Sequence, residues 1–291
     1  MVSVAIVTDS TASLPEDLVA SHGMTVVPLH VVLGGQEFSD GVGLTAAELA
    51  AALRTFTSVS TSRPSPQAFL DVYEAAAAGG ADSVVSVHIC SDMSGTVGSA
   101  LLAASQSPIP VLVVDSRSVG MALGYAAMSA AVAARQGRDP AAVAAIAQAR
   151  AQAATVIFYV DNLEHLRRGG RIGAASAMIG SALAIKPLLA LSDGHIIPIE
   201  KVRTATRALS RLEELALQAA EAAGGSGVDI AVHHLDAQVR ASNLAERLRN
   251  QAPTSTRVIL VELEAVVGAH VGPGTIAVAV SPRPEVSRFG P

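Results

Sequence analysis

The 291-residue sequence is half apolar, carries a formal net charge of −5 and contains one cysteine. A chain of this length can bury a sizeable core, and we expect two domains. The acidic balance and an aromatic content of 3% without tryptophan do not suit a nucleic-acid binder, which needs a basic surface and rings for base stacking. The single cysteine, Cys90, excludes an internal disulfide and a metal site built from several thiolates.

The sequence has no targeting or membrane-spanning signal. No uninterrupted apolar run reaches the roughly 18 residues that a membrane-spanning helix needs. The N-terminus also lacks the basic region and cleavage site of a secretory signal. We therefore expect a cytoplasmic protein that makes at most transient contact with membranes.

Apolar runs alternate with helical patterns through the first half of the chain. The runs are short and nearly continuous, which is typical of strands buried on both faces of a parallel sheet. The predicted strands are 2–8, 24–33, 84–89, 110–115 and 155–160, and the predicted helices are 45–56, 67–78, one near 100–102, 119–136 and 140–153. Strands and helices in alternation favour right-handed crossovers and a doubly wound sheet.

The second half of the chain has a different predicted order of elements. It contains an apolar helix, a hairpin that turns at Asp193-Gly194, and further strands and helices. The predicted elements are a helix at 174–185, a hairpin over 187–202, a helix from about 205 to 223, a strand at 228–233, a helix at 237–251, and strands at 257–263 and 275–280. We therefore predict an α/β protein with an N-terminal domain 1–160, a C-terminal domain 161–281 and a loose tail 282–291.

Two loops concentrate hydroxyl groups just before a helix: residues 91–96 read Ser-Asp-Met-Ser-Gly-Thr, and residues 60–66 read Ser-Thr-Ser-Arg-Pro-Ser-Pro. Beyond the carboxyl ends of parallel strands, helix N-termini leave backbone N–H groups unpaired and hold anions. Ser94 and Gly95 suit such a site. Two plainer interpretations stay open: Ser94 as a helix N-cap alone, and residues 60–66 as a capped linker.

Residues 161–172 read Asp-Asn-Leu-Glu-His-Leu-Arg-Arg-Gly-Gly-Arg-Ile. Three arginines and two glycines within five residues cannot be buried without partners, so the segment faces solvent or an anionic partner. A solvated helix end is the alternative.

Nucleotide and metal sites are not indicated. No glycine-rich phosphate loop follows a strand and opens a helix. No cluster has the spacing of metal ligands, because the adjacent His233 and His234 would point to opposite sides of a strand. We predict no metal and no cofactor.

His270 differs from the other histidines because glycines 268, 272 and 274 surround it, which lets a ligand approach the backbone. A serine hydrolase is one alternative function, with Ser94, His270 and either Asp9 or Asp115 as a triad. The nucleophile elbow G-x-S-x-G of many hydrolases is absent, which speaks against it.

Several short motifs taken together resemble the DegV family of bacterial fatty-acid-binding proteins. The resemblance runs from the first strand to about residue 280, and the order and spacing of the motifs are specific although each one is weak. The motifs are Thr8-Asp9-Ser10, Thr61-Ser62-Arg63-Pro64, Ser91 with Ser94-Gly95-Thr96, Asp115-Ser116, Arg168-Gly169-Gly170-Arg171-Ile172, Lys186-Pro187, Lys201-Val202-Arg203-Thr204 and His270-Val271-Gly272-Pro273-Gly274.

The resemblance implies two α/β domains that enclose one long-chain fatty acid between them. It further implies a carrier and not an enzyme: the protein presents the acid's carboxylate to a separate ATP-dependent fatty acid kinase, which forms an acyl phosphate for phospholipid synthesis. By the same resemblance, the residues at the carboxylate are Thr61, Ser62, Ser94, Gly95 and His270. Arg171 and Arg203 match arginines at which the kinase docks, and we expect a monomer.

Two positions depart from the family pattern: Arg63 stands where relatives often have Gln, and Asp92 where they often have Ser. Either change alters the surroundings of the carboxylate. Besides the hydrolase, a lipid-responsive interaction protein without a kinase stays open as a third function.

Overall fold

The structure is a computed structural model that describes residues 2–55, 57–178, 186–223 and 227–284. Its strands are β1 (Val4–Asp9), β2 (Met24–Val27), β3 (His30–Leu33), β4 (Gln36–Ser39), β5 (Val59–Ser62), β6 (Ser83–His88), β7 (Val111–Asp115), β8 (Thr155–Tyr159), β9 (Lys186–Ser192), β10 (His195–Val202), β11 (Val228–His234), β12 (Arg257–Glu262) and β13 (Ile276–Pro282). Its helices are α1 (Glu16–His22), α2 (Ala46–Arg54), α3 (Pro66–Ala78), α4 (Thr96–Ala104), α5 (Met121–Arg135), α6 (Pro140–Ala153), α7 (Glu164–Arg168), α8 (Ala205–Ala223), α9 (Gln238–Gln251) and α10 (Ala265–Val271).

Contacts within the chain divide it into two compact units that are not continuous in sequence. Unit 1 holds residues 2–30, 62–153 and 284, and unit 2 holds the described residues of 31–61 and 154–283. The predicted boundary at 160/161 placed residues 31–61 and β8 in the first domain, so this grouping differs from the sequence prediction. Residues 285–291 of the predicted tail lie outside the described residues.

Unit 1 is built on a parallel four-stranded sheet with the order β2-β1-β6-β7. Helices cover both faces, so each strand buries side chains above and below the sheet. One face packs Val85 and Val87 against α5 and α6, and the other packs Val84 against Phe69 and Tyr73 of α3. The predicted α/β class and the doubly wound parallel sheet are confirmed.

The carboxyl group of Asp9, at the end of β1, is fully buried and organises the neighbouring loop. It accepts hydrogen bonds from the backbone N–H of Thr11 (3.0 Å), the hydroxyl of Thr11 (2.5 Å), Nδ1 of His88 (3.0 Å) and the backbone N–H of Ile89 (3.0 Å). Burial of a carboxyl group is tolerated where its oxygens are satisfied in this way. Asp9 therefore ties the ends of β1 and β6 together.

A relay of hydrogen bonds continues from His88 along β6. Its Nε2 lies 2.6 Å from the hydroxyl of Ser86, which lies 2.9 Å from the hydroxyl of Tyr73. When Tyr73 donates to Ser86 and Ser86 donates to Nε2, Nδ1–H is left to donate to Asp9, and every donor has an acceptor. The His88 ring also packs edge-on against Phe69, with the ring centroids 4.9 Å apart.

Unit 2 contains a six-stranded sheet with the order β10-β9-β8-β13-β11-β12. β11 and β12 run parallel, whereas its other neighbouring pairs are antiparallel. Helices α8 and α9 pack on one face of this sheet, where α8 buries a residue every fourth position, as the helical repeat requires. The predicted hairpin is present as β9 and β10, and Asp193 and Gly194 both have positive φ at its turn.

A three-stranded sheet with the order β4-β3-β5 and helix α2 complete unit 2. The predicted start of α2 is confirmed as a capping box between Thr45 and Glu48. Helix α10 packs against α2 and α7, and its first turn is anchored where Asp40 accepts a hydrogen bond from the Val266 N–H (3.0 Å). A Cβ at Gly268 would lie 2.9 Å from Leu49, so glycine lets α10 approach α2 closely.

Three local predictions need correction. The helix expected at 174–185 is a 3₁₀ helix over Gly173–Met178, and residues 179–185 lie outside the described residues. The single run at 24–33 is two strands, β2 and β3, on either side of Pro28, which cannot donate to a sheet. The linker alternative for 60–66 is wrong at its start, where β5 is an edge strand. His270, for which the sequence predicted no element, lies on helix α10.

None of the helices within the described ranges is long and apolar enough to cross a membrane.

Candidate functional site

Thr61 and His270 are 209 positions apart in sequence but in direct contact within unit 2. Burial alternates along β5, so Thr61 is partly buried while its neighbours Ser60 and Ser62 are exposed. His270 lies on the last turn of α10, and its Nε2 is 2.9 Å from the Thr61 hydroxyl oxygen. The edge strand and the helix therefore bring these two predicted residues together.

The edge of the His270 ring that carries Nδ1 lies against Gly169, just after α7. A Cβ at Gly169 would overlap Nδ1 of His270, so glycine is the residue that leaves the ring in place. Nδ1 is buried and has no hydrogen-bond partner among the described residues. Burial lowers the pKa of His270 to about 4, and the nearby Arg171 guanidinium acts in the same direction.

A neutral His270 carries its proton on one of two nitrogens, and the surroundings favour Nε2. An N–H group buried without an acceptor costs more than an unpaired lone pair, so we assign Nδ1 as the nitrogen without the proton. Nε2–H then donates to the Thr61 hydroxyl oxygen. The Thr61 hydroxyl proton is consequently free to be donated to a ligand.

A pocket of about 490 Å³ opens beside this pair, and all of its lining residues belong to unit 2. The lining is dominated by hydroxyl, imidazole and guanidinium groups, and none of these residues carries a carboxylate. The lining residues are Leu53, Thr57, Ser58, Val59, Ser60, Thr61, His165, Arg168, Gly169, Arg171, Ala269 and His270.

The arginines of this segment are organised by one carboxylate. Glu164, in the first turn of α7, accepts from Nε of Arg167 (2.8 Å) and Nε of Arg168 (2.7 Å). These two hydrogen bonds lower the pKa of Glu164 to about 2. Arg171 follows two glycines and donates from Nη1 to the Gly169 carbonyl (2.5 Å).

His165 is the second imidazole of the pocket and lies against the loop that follows α10. Gly272 has φ of 80°, and a Cβ there would overlap the His165 ring. Burial, together with the charge of Arg168, lowers the pKa of His165. The glycines next to His270 in the sequence thus make room for packed side chains as well as for a ligand.

The histidines of unit 2 give a testable pH dependence. Burial lowers the pKa values of His165 and His234. It lowers those of His233 and His270 to about 4. Between pH 4 and 6.5 the unfolded chain binds more protons at these sites than the folded chain, so the free energy of unfolding should fall as the pH is lowered. We expect urea denaturation between pH 6.5 and 5 to show this fall.

The variant His233→Gln isolates one of these sites. Removing one titrating group should reduce the slope of unfolding free energy against pH by at most about 1.4 kcal/mol per pH unit. The slope is the relevant quantity because the substitution also changes packing at all pH values. An unchanged slope in His233→Gln would contradict the assignment.

In unit 1 the hydroxyl loop between β6 and α4 has the features of an anion-binding loop. Gly95 occupies the N-cap position of α4 and offers no side-chain hydrogen bond to the first turn. The Ser94 hydroxyl instead lies 2.8 Å from the Thr96 hydroxyl, so the interpretation of Ser94 as the N-cap is wrong. The Arg63 side chain lies against Gly95, where a Cβ would overlap its guanidinium group.

The rest of this loop is held by Asp115 at the end of β7. Asp115 accepts from the Ser91 hydroxyl (2.5 Å) and from the Arg117 backbone N–H (2.9 Å). Asp92, one of the departures from the family pattern, pairs with Nη1 of Arg117 at 2.5 Å. The departure is therefore matched by a basic partner from the segment that follows β7.

The structure separates the predicted site residues into groups. Thr61, His270 and Arg171 line the pocket of unit 2, whereas Arg203 follows β10, is exposed and does not line it. Ser62, Ser94 and Gly95 belong to unit 1. Sequence reasoning missed the contributions of His165 and the hydroxyls at 57 and 58, whereas Arg168 and Ser60 appeared in it only as members of the arginine run and of the hydroxyl loop. The histidine beside the arginine run was the available signal.

Within the described part of unit 1, the candidate triad residues Ser94, Asp9 and Asp115 have other hydrogen-bond partners. Ser94 contacts Thr96, while Asp9 is paired with His88 and Asp115 with Ser91. A Ser–His–Asp arrangement does occur at Ser86, His88 and Asp9, but all three side chains are fully buried and no substrate can reach them.

Comparisons with known proteins agree with this architecture. Residues 3–283 match the family described as "Uncharacterised protein, DegV family". The chain is 50% identical over 280 residues to a DegV domain-containing protein of Streptomyces coelicolor, which covers 96% of this chain and 99% of the relative.

Two solved structures are similar over nearly the whole chain. One is a DegV family protein from Thermus thermophilus described as fatty acid binding, with a TM-score of 0.89 and 32% identity over 96% of this chain and 99% of that one. The other is DegV, a fatty acid binding protein from Bacillus subtilis, with a TM-score of 0.88 and 30% identity over 97% and 99%. On the matched length and these identities, the chain belongs to the DegV family.

Proposed function

We propose that this protein binds one long-chain fatty acid and presents its carboxylate to a separate ATP-dependent fatty acid kinase. The contact between Thr61 and His270 carries the proposal, because a Thr61 oxygen that accepts from Nε2–H keeps its own proton for a ligand oxygen. The fatty-acid-binding relatives from Thermus thermophilus and Bacillus subtilis support the choice of ligand.

The energetics of an acyl ligand require such donors. A chain of about fifteen methylenes at about 0.8 kcal/mol each offers roughly 12 kcal/mol on full burial, before the costs of ordering the ligand. A carboxylate left without partners would oppose this burial strongly, so the head group needs charge-assisted hydrogen bonds. The ligand therefore requires a polar site for its head and an apolar enclosure for its tail.

In this proposal the carboxylate is bound by the residues that the family resemblance assigns to it. These are the Thr61 hydroxyl, oriented by His270, the hydroxyls of Ser62 and Ser94, and the N–H groups at Gly95 and the first turn of α4. Arg63 adds a positive charge beside Gly95, which strengthens binding of an anion where relatives often have a neutral Gln.

The proposed reaction belongs to the partner and not to this chain. A carboxylate oxygen forms a bond with the γ-phosphorus of ATP, the bond from that phosphorus to the bridging oxygen breaks, and ADP leaves. The product is an acyl phosphate, which phospholipid synthesis can use. The exposed arginines Arg171 and Arg203 are the proposed docking points for the kinase, and the protein acts as a monomer.

The first experiment is native mass spectrometry of the purified protein, followed by lipid extraction. We expect one bound fatty acid of C14 to C18 per chain. Protein that is purified empty and does not bind added oleate would refute the proposal. If the acid binds but no acyl phosphate forms with ATP and a cognate kinase, the proposed carrier role is refuted. The alternative function of a lipid-responsive interaction protein is then favoured.

A further inference from the structure

We propose that Asp9 is a positioning residue that fixes the Ser94 hydroxyl for its ligand without touching the ligand itself. The inference rests on the proposed function, because it explains how unit 1 holds one of the hydroxyls assigned to the carboxylate. It is carried by a continuous path of hydrogen bonds from Asp9 to Ser94, which lies entirely within unit 1.

The topology of unit 1 places Asp9 beside the start of the hydroxyl loop, residues 89–95. In the strand order β2-β1-β6-β7, the chain proceeds from β1 to one side of the sheet and from β6 to the other. The carboxyl ends of β1 and β6 therefore form a switch point, where open α/β sheets place their ligand sites. Asp9 is the last residue of β1, and the hydroxyl loop follows directly after β6.

Three steps connect Asp9 with Ser94. The Asp9 carboxyl group accepts a hydrogen bond from the Ile89 N–H (3.0 Å), the first backbone donor after β6. The next carbonyl, that of Cys90, accepts from the N–H groups of both Met93 (3.0 Å) and Ser94 (3.1 Å). Ile89 and Cys90 are buried, so water does not compete for the contact with Asp9. The placement of Ser94 therefore depends on where Asp9 holds the start of the loop.

A second branch holds the same loop from its other side. Thr11, which donates twice to Asp9, accepts at its carbonyl from the Gly120 N–H (2.7 Å). The carbonyl of Ser118, two residues before Gly120, accepts from the Cys90 N–H (3.0 Å). These contacts and the chain itself form a closed ring that begins and ends at Asp9. Because the ring is closed, a displacement of Asp9 also displaces the Cys90 carbonyl.

The position requires a carboxyl group. All of its partners are donors, with Thr11 N–H and O–H on one oxygen, and His88 Nδ1–H and Ile89 N–H on the other. An ionised carboxyl group has acceptor sites for all of these donors. The amide of an asparagine has one oxygen and would set its NH₂ group against the donors of the other side. Asp9→Asn therefore releases either Thr11 or Ile89 while it keeps the shape of the side chain.

The test measures palmitate binding by isothermal calorimetry in matched variants of the full chain. Asp9→Asn is the test variant. Tyr73→Phe is the control, because it removes a buried hydroxyl from the same relay and leaves every hydrogen bond of Asp9 in place. Both changes are also made in a Ser94→Ala background. Circular dichroism establishes that each variant is folded under the conditions of the titration.

We expect Asp9→Asn to weaken palmitate binding about tenfold and Tyr73→Phe to change it less than about twofold, although both variants lose stability. In the Ser94→Ala background, Asp9→Asn should cause a further loss of less than about threefold, because Asp9 acts through Ser94. Amide hydrogen exchange at residues 89–94 should be faster in Asp9→Asn than in Tyr73→Phe. A residue that only stabilises the fold would produce none of these differences.

Two binding results would overturn the inference and leave the proposed function standing. One is an unchanged palmitate affinity in Asp9→Asn, and the other is a loss of about tenfold that persists in the Ser94→Ala background. If Asp9→Asn does not fold, hydrogen exchange in the unaltered protein decides. The N–H groups of Ile89 and Ser94 should then exchange as slowly as those of β6, and rapid exchange would contradict a loop held by Asp9. If the unaltered protein does not bind palmitate, the proposed function fails and the inference fails with it.

Discussion

Replacing Thr61 by valine or Ser94 by alanine should lower the affinity for palmitate about ten- to a hundredfold in each case. Each change removes a hydrogen bond to a charged group, which contributes roughly 1.5 to 3 kcal/mol in a site without water. Valine keeps the branched shape of threonine in β5, but it also leaves Nε2 of His270 without its partner, so the loss at Thr61 includes the loss of that contact. Isothermal calorimetry with palmitate measures both variants.

Matched controls lie close to each position. Thr55→Val removes an exposed hydroxyl that bonds to carbonyls of its own helix, and Ser105→Ala does the same at the opposite end of α4. Both should bind palmitate as the unaltered protein does. If both hydroxyls bind one carboxylate, the loss of palmitate binding free energy in the double variant should differ from the sum of the losses in the two single variants. Strict additivity of these losses would contradict a shared head group.

The variant His88→Ala should lower the free energy of unfolding by about 3 to 5 kcal/mol. The substitution removes the ring that links Asp9 to Ser86, and it leaves a buried carboxyl group and a buried hydroxyl without one partner each. It also opens a cavity beside Phe69, which adds to the loss. Urea denaturation followed by circular dichroism gives the difference.

His22→Ala is the control for this stability measurement, because His22 lies at the surface end of α1 and bonds to a carbonyl of its own helix. It should cost less than about 1 kcal/mol. A loss of similar size in both variants would show that the relay does not stabilise unit 1. Palmitate affinity measured below the onset of unfolding separates stability from binding.

Local patterns in the sequence were sufficient for many elements. Continuous apolar runs such as the one in β6 have a single stable environment, the interior of a parallel sheet, so the α/β class was predictable. The capping box at Thr45 and the turn at Asp193-Gly194 follow from local chemistry and required no distant contact. The shortest elements were missed, because a helix such as α10 depends on packing against α2 and α7.

The candidate site depended more on tertiary structure. The sequence identified Thr61 and His270 as candidates through their resemblance to the DegV motifs, but the contact between them arises from packing of an edge strand and a helix 209 positions apart. The neutral state of His270 has the same origin, since burial against Gly169 lowers its pKa.

By itself the sequence determined the α/β class and most strands and helices, because these follow from periodicity and turn chemistry within short windows, and it indicated the family through the resemblance of its motifs. Only the tertiary structure decided that residues 31–61 group with the second half of the chain and that hydroxyls, imidazoles and arginines line one pocket. The physical reason is that side-chain proximity and desolvation are set by long-range packing, which local patterns do not encode.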